Sequence, residues 1–119
     1  MDTITAGMRI MGELMGDGYL ARRAQQRNAF NGVLQDCSAE VCFDRVRARP
    51  GLDRKLRSAI NITMLAALNR PGQLRHHVEG ALNNGCSAGK IQEILLQAAV
   101  CRGLPAAGEG FRISVEEGR

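Results

Sequence analysis

Two adjacent histidines, His76 and His77, are the residues of this chain best suited to acid–base chemistry. Histidine titrates near neutral pH and can both donate and accept a proton. Around them, apolar residues recur at helical spacing: Leu74, Val78, Ala81 and Leu82. At about 100° per residue, His77 flanks this stripe and His76 points to nearly the opposite side. We therefore predict a half-buried His77 and a solvated His76. His77 is then either a proton carrier beside a pocket or a hydrogen-bonded residue at a helix interface.

The charge of the chain favours anionic partners. Its 119 residues carry a net charge of +4, and arginine dominates the basic residues. Small carboxylic acids, phosphates and nucleic acids all suit such a chain, and arginine binds carboxylates in a two-pronged geometry. A solvated basic surface is the alternative interpretation. Nucleic-acid binding is not expected, because aromatic residues make up only 3% of the chain and no recognition helix stands out.

The four cysteines, Cys37, Cys42, Cys86 and Cys101, form no C-x-x-C pair and no His/Cys zinc spacing. The first residues lack a basic segment followed by an apolar core, so we expect no signal peptide. We therefore expect a cytoplasmic protein with reduced thiols, no metal site and no membrane association.

The histidine segment is the second half of a predicted helix pair, residues 52–85. Asp53 is a suitable N-cap for the first helix. From 59 to 68 that helix is apolar nearly all round, which predicts a helix buried on every side but too short to span a bilayer. Pro71 then starts the second helix and Gly85 ends it.

The sequence also predicts helices in most of the remaining segments. We predict an amphipathic helix in residues 1–18, a basic connection at 19–26 and a longer helix at 28–48. The predicted anchors of the longer helix are Phe30, Val33, Leu34, Val41 and Val46. Ser87 caps a further helix, on which Leu96 and Val100 form a second apolar strip that must face another helix or another subunit. A last helix runs from Pro105 to about Glu117, and strand alternation is absent.

Three stretches carry a resemblance to a known family: RPGLDRKLRS at 49–58, MLAALNRPGQLRHHVEGALNNG at 64–85 and IQEILLQAAVCRGLPAAGEGFRI at 91–113. Together they resemble the carboxymuconolactone decarboxylase family, and more closely its small single-domain members. The resemblance implies one compact, antiparallel all-α domain over 1–119, with about six helices in the AhpD-like fold. It also implies homotrimers or homohexamers, active sites near subunit contacts, and no metal or organic cofactor.

The resemblance also assigns roles to residues. His77 falls on the family's histidine in the L-x-x-H pattern, which makes it the expected proton carrier. Arg57 falls on the arginine of an R-S pair, Arg57-Ser58, and is expected to bind a carboxylate or to form a structural ion pair.

The chain departs from the family pattern at three positions. A G-E-x-W segment is usual before the R-P-G loop, and here Arg45 and Arg47 replace its glutamate and tryptophan. Both arginines are candidates for extra contacts with an anionic substrate. Cys101 replaces a usual tyrosine, and it is either a residue of the substrate site or a buried small apolar residue. The C-x-x-C pair of the peroxide-reducing branch is absent.

The sequence therefore predicts cofactor-independent decarboxylation of a small anionic lactone such as 4-carboxymuconolactone, in aromatic-acid catabolism. The alternatives are a diverged family member acting on another lactone, enol or aromatic acid, and a non-catalytic oligomer that binds a ligand.

Overall fold

The computed structural model describes residues 2–118, with the side chains of all of these except residues 106 and 118. Its helices are α1 (Thr3–Met15), α2 (Asp17–Gln26), α3 (Gly32–Cys37), a π-helical segment (Ser38–Arg47), α4 (Arg54–Ala67), α5 (Pro71–Asn83), α6 (Ala88–Arg102) and α7 (Leu104–Gly118). The described residues form no strand, which confirms the predicted all-α fold. Within them, every helix is too short or too polar to cross a membrane.

The chain forms two compact units, Met1–Asp53 and Arg54–Arg119. The first contains α1, α2, α3 and the π-helical segment, and the second contains α4 to α7. The prediction of a single domain over 1–119 stays a prediction.

The core of the first unit lies between α1 and the π-helical segment. Asp2 caps α1, because its carboxylate accepts a hydrogen bond from the backbone N–H of Thr5 at 2.7 Å, which also lowers the pKa of Asp2. The helix ends at Gly16, whose positive φ of 93° is a backbone conformation that glycine adopts readily. The buried apolar side chains are Ile10, Met11, Leu14, Met15, Ala39 and Phe43.

Gly7 allows α1 to approach the π-helical segment closely. A Cβ atom at this position would lie 1.8 Å from the carbonyl oxygen of Ala39. Only glycine therefore fits at this crossing.

Two predictions for the first unit are wrong. Residues 19–26 belong to α2, where Asp17 in the first turn and Arg23 in the last complement the helix dipole. Arg23 also ties α2 to α3, since its guanidinium donates to the carbonyl oxygen of Gln35 at 2.6 Å.

The predicted anchors of the long helix are exposed rather than buried. Their exposed fractions are 92% for Phe30, 77% for Val33, 69% for Leu34, 40% for Val41 and 48% for Val46. In the π-helical segment hydrogen bonds span five residues, as from the N–H of Ala48 to the carbonyl of Phe43. The buried face of this segment consists of Ala39 and Phe43, and not of the predicted anchors Val41 and Val46.

The second unit is built from α4 to α7. Helix α5 packs on α4 and α7, α6 packs on the same two helices, and α4 also contacts α7. The predicted stripe on α5 is confirmed, because Leu74, Val78 and Ala81 are buried. They share one core with residues of the other three helices, namely Ile62, Ala66, Ile91, Leu95 and Ile113.

The prediction that α4 is buried on all sides is wrong. Ile62 and Ala66 are buried, whereas Leu56, Ile60, Met64 and Leu68 are 46%, 40%, 55% and 61% exposed. The neighbouring helices cover only one side of α4, and these four residues recur every four positions on the other side. We call them the α4 apolar stripe.

Local sequence signals set the helix ends of this unit as predicted. Pro71 begins α5, and Gly85 follows its end with a φ of 88°. Ser87 caps α6, because its Oγ accepts a hydrogen bond from the N–H of Lys90 at 3.1 Å. Gly103, with a φ of 108°, separates α6 from α7. On α6, Leu96 and Val100 are exposed, which leaves the second apolar strip uncovered by this chain.

We predict that Gly7→Ala destabilises the protein by about 1–3 kcal/mol or more, because the new methyl group overlaps backbone atoms that cannot move aside separately. Gly18→Ala is the control. Its Cβ would meet only the Arg22 side chain, at 3.4 Å, so about 0.5–1 kcal/mol of stabilisation is expected from lower chain entropy. Urea unfolding followed by circular dichroism measures the free energy of unfolding of both variants. Equal stabilities would contradict the close approach of α1 to the π-helical segment.

Leu95 and Leu96 are neighbours on α6 with opposite exposure, 0% and 47%. We predict that Leu95→Ala lowers the free energy of unfolding by about 2–5 kcal/mol, because it leaves a cavity in the core. Leu96→Ala should cost much less when both variants are compared in the same oligomeric state. A larger loss for Leu96→Ala would contradict the assignment of the core face of α6.

Candidate active site

Helices α4 and α5 form an antiparallel hairpin that carries two of the predicted site residues. Only residues 68–70 connect them, and they pack against each other. A Cβ atom on Gly85, just after α5, would lie 3.5 Å from the side chain of Lys55, near the start of α4. The start of α4 and the end of α5 therefore lie side by side. The two helices are in contact along their whole length, and we call this line of contact the α4–α5 seam.

His77 lies on the side of α5 that faces α4. Arg75, two residues earlier, pairs with α7 through hydrogen bonds to Glu116 and Glu117. Two residues correspond to about 200° around a helix, so the flank with His77 is opposite the flank that contacts α7. Because α5 packs between α7 and α4, His77 faces the seam.

The burial of His77 agrees with the prediction, since the residue is half-buried beside the buried Val78. His76 was predicted to be solvated, but it is also half-buried. The two histidines therefore do not differ in exposure class. They differ in direction, because consecutive residues point about 100° apart around a helix.

Arg57 lies in the first turn of α4. At about 100° per residue it points about 20° away from Met64, which lines a groove with Ile94 of α6 and belongs to the α4 apolar stripe. Arg57 therefore lies on the side of α4 away from the buried Ile62 and Ala66. Its side chain is half-buried, and its Nε atom is shielded from solvent.

His77 and Arg57 thus lie on the two helices of one hairpin. Counted from the connection, His77 is six residues into α5 and Arg57 is ten residues back along α4. The difference along the hairpin is about one helical turn. Arg57 borders the α4 apolar stripe, because it lies close to the direction of Met64 around the helix.

An ion-pair network that the sequence did not reveal fixes α5 on α7. Arg75 contacts Glu117 at 2.9 Å and Glu116 at 3.2 Å, and Arg112 contacts the same Glu116 at 2.9 Å. Hydrogen bonding to Glu117, and then to Glu116, raises the pKa of Arg75. Hydrogen bonding to Arg112 lowers the pKa of Glu109. The network keeps the carboxylates of α7 paired and holds the histidine-bearing turn of α5 in place.

Arg45 and Arg47 belong to the first unit, at the end of the π-helical segment. Arg45 is exposed. Arg47 is half-buried, and its guanidinium carbon lies 4.7 Å from the centre of the Phe43 ring. This cation–π contact ties Arg47 to the core of its own unit.

Cys101 is exposed, so its interpretation as a buried apolar residue is wrong. It lies in the last turn of α6, beyond the core face formed by Ile91, Leu95 and Ala98. The buried cysteine is Cys86, which belongs to the core of the second unit. All four cysteines are free thiols.

Among the described residues of the second unit lie grooves or cavities of about 420, 450 and 420 Å³, and His77, Arg57 and Cys101 line none of these three. Within residues 2–118, no group of three or more His, Cys, Asp or Glu side chains is placed to hold a metal ion.

Comparison with known proteins adds a family to this geometry. A model of the carboxymuconolactone decarboxylase family matches residues 34–116. The 4-carboxymuconolactone decarboxylase of Acinetobacter baylyi is 31% identical over 110 residues, which cover 92% of this chain and 82% of that protein. The nitrosuccinic acid decarboxylase of Metarhizium robertsii is 30% identical over 108 residues, which cover 91% of this chain and 76% of that protein.

The matched region includes the π-helical segment, the α4–α5 hairpin and most of α7. Both relatives align along nearly the whole chain. The chain therefore belongs to the carboxymuconolactone decarboxylase family.

Proposed function

We propose that this protein is a decarboxylase of a small, multiply charged organic acid, and that it works without a cofactor. The observation that supports this most is the position of His77 and Arg57 on the two helices of one hairpin, about one turn apart along it. A proton carrier and a carboxylate binder are the two functions that such a reaction requires.

The names of the two relatives indicate one shared type of chemistry. One acts on a carboxylated lactone and the other on a nitro-substituted diacid. In both cases a carboxylate can leave as CO2 when a nearby electron-withdrawing group accepts the electron pair of the broken C–C bond. The intermediate is an oxyanion, and it becomes product when a carbon atom takes up a proton.

In the proposed mechanism, protonated His77 supplies that proton and becomes neutral, and it regains a proton from solvent. Arg57 holds a carboxylate and so orients the acid. A positive group beside the substrate also stabilises the oxyanion as charge moves onto it.

Arg45 and Arg47 are proposed as further anion contacts. By the family resemblance they stand in place of a glutamate and a tryptophan, so one negative and one neutral side chain are exchanged for two positive ones. The exposed side chain of Arg45 is available to a substrate. Arg47 stacks on Phe43 and is the more firmly positioned of the two.

Assembly into trimers or hexamers completes the proposed site. Leu56, Ile60, Met64 and Leu68 expose a continuous apolar stripe, and contiguous apolar surface of this kind marks interaction sites. Because Arg57 borders the stripe, a second copy packed there would lie close to Arg57. Closure by a partner subunit would exclude water from the reacting acid.

A second candidate function has specific support. The relative that acts on nitrosuccinic acid is 30% identical to this chain, against 31% for the relative that acts on a lactone. Decarboxylation of an acid that is not a lactone is therefore the alternative. It keeps the roles of His77 and Arg57 and changes the electron-withdrawing group.

We predict that the purified protein releases CO2 from 4-carboxymuconolactone or from nitrosuccinic acid, and that His77→Gln lowers kcat by about 10²–10⁴-fold because proton delivery is lost. His76→Gln is the matched control, with the same chemical change about 100° further around α5, and it should change kcat only a few-fold. Circular dichroism should show both variants folded. Full activity of His77→Gln would contradict the assignment, and a wild-type protein inert toward both acids would contradict the proposed substrate class.

Arg57→Gln should raise KM about tenfold or more, because a charged hydrogen bond to a carboxylate is lost. Arg54→Gln is its control, since Arg54 is exposed in the first turn of the same helix. Steady-state kinetics gives KM for both variants, measured with whichever acid the wild-type protein decarboxylates. An unchanged KM for Arg57→Gln would remove Arg57 from the site and leave it a structural role.

A further inference from the structure

The second unit contains a cavity of about 420 Å³ that is separate from the α4–α5 seam. It lies where the first turns of α6 meet the later turns of α7, with Leu82 of α5 at one side. The volume is within the range of pockets that hold small organic molecules. Since neither His77 nor Arg57 lines it, the proposed decarboxylation gives this cavity no role.

The cavity is lined mainly by apolar side chains, among them Leu95 and Phe111, and the polar side chains of its lining are Gln92 and Ser114. A Cβ atom on Gly110 would lie 2.6 Å from Leu95, so α6 packs tightly on α7 beside the cavity. A molecule that occupies the cavity therefore needs an apolar body with few polar groups.

Ser114 gives the strongest indication that something binds here. Its Oγ atom is shielded from solvent and makes no hydrogen bond to any described residue of the chain. Buried hydroxyl groups nearly always have a partner, because an unsatisfied one is unfavourable. Serine in a helix commonly bonds to a carbonyl of the preceding turn, and Ser114 does not. A ligand in the cavity would supply the missing partner.

We propose that this cavity binds a small aromatic molecule with a single oxygen substituent. The ring packs against Phe111 and Leu95, and the oxygen forms a hydrogen bond with Ser114 Oγ. An aromatic ring suits the cavity because it can pack against the ring of Phe111. A molecule with many polar substituents does not suit it, because the lining has few hydrogen-bonding side chains. The proposal does not depend on the reaction at His77.

Phenol and toluene test the proposal as a matched pair, because they differ mainly in one hydroxyl group. Titration into the full-length ¹⁵N- and methyl-labelled protein, followed by NMR, should give saturable shifts at Gly89, Leu82 and Leu95. Phenol should bind with a dissociation constant of about millimolar order, as expected for so small a ligand. Toluene should bind about two- to tenfold more weakly, because it cannot satisfy Ser114.

Variants then locate the site. Gly89→Leu places a side chain in the cavity wall, where a Cβ atom would meet only Ser87 Oγ at 3.8 Å, and it should abolish the shifts. Gly108→Leu, on the exposed side of α7 with nothing within 4 Å of its Cβ, should bind phenol normally. Ser114→Ala should reduce phenol binding to the level of toluene and leave toluene unchanged.

Several results would overturn the proposal. One is the absence of saturable shifts in the wild-type protein, and another is binding that survives Gly89→Leu. A preference for phenol that persists in Ser114→Ala would also overturn it, because the hydroxyl would then have another partner.

Discussion

The packing of α5 between α4 and α7 is the constraint on which the second unit depends. Leu74, Val78 and Ala81 bury one face of α5 in the core, and this fixes the rotation of the helix. Once the rotation is fixed, Arg75 must face α7 and His77 must face α4. The apolar stripe therefore sets the direction of the side chain proposed to move the proton, and the Arg75 network holds that direction.

Much of this unit follows from local sequence signals. Pro71, Gly85, Ser87 and Gly103 set helix boundaries through backbone preferences that do not depend on the rest of the chain. The stripe on α5 was predictable for a similar reason, since a helical period of apolar residues must be buried somewhere. The family resemblance, confirmed by the family model and by two relatives, then identified His77 and Arg57 as candidates.

Other features depend on packing and have no local signal. The π-helical segment buries Ala39 and Phe43 and leaves Val41 and Val46 exposed, and α1 approaches this segment closely at Gly7. An apolar residue on an outer face looks the same in sequence as one in a core, so the α4 apolar stripe was assigned to the interior. The pairs of Arg75 with Glu116 and Glu117 join residues 41 and 42 positions apart, which no helical period relates.

The central claim is that His77 delivers a proton to one face of a bound carbanion. Decarboxylation in D2O, with NMR analysis of the carbon that takes up deuterium, tests it most directly. The account predicts deuterium on a single face of that carbon in the wild-type protein, and loss of this selectivity in whatever product His77→Gln still forms. Equal labelling of both faces by the wild-type protein would contradict it, because solvent and not a fixed side chain would then be the proton donor.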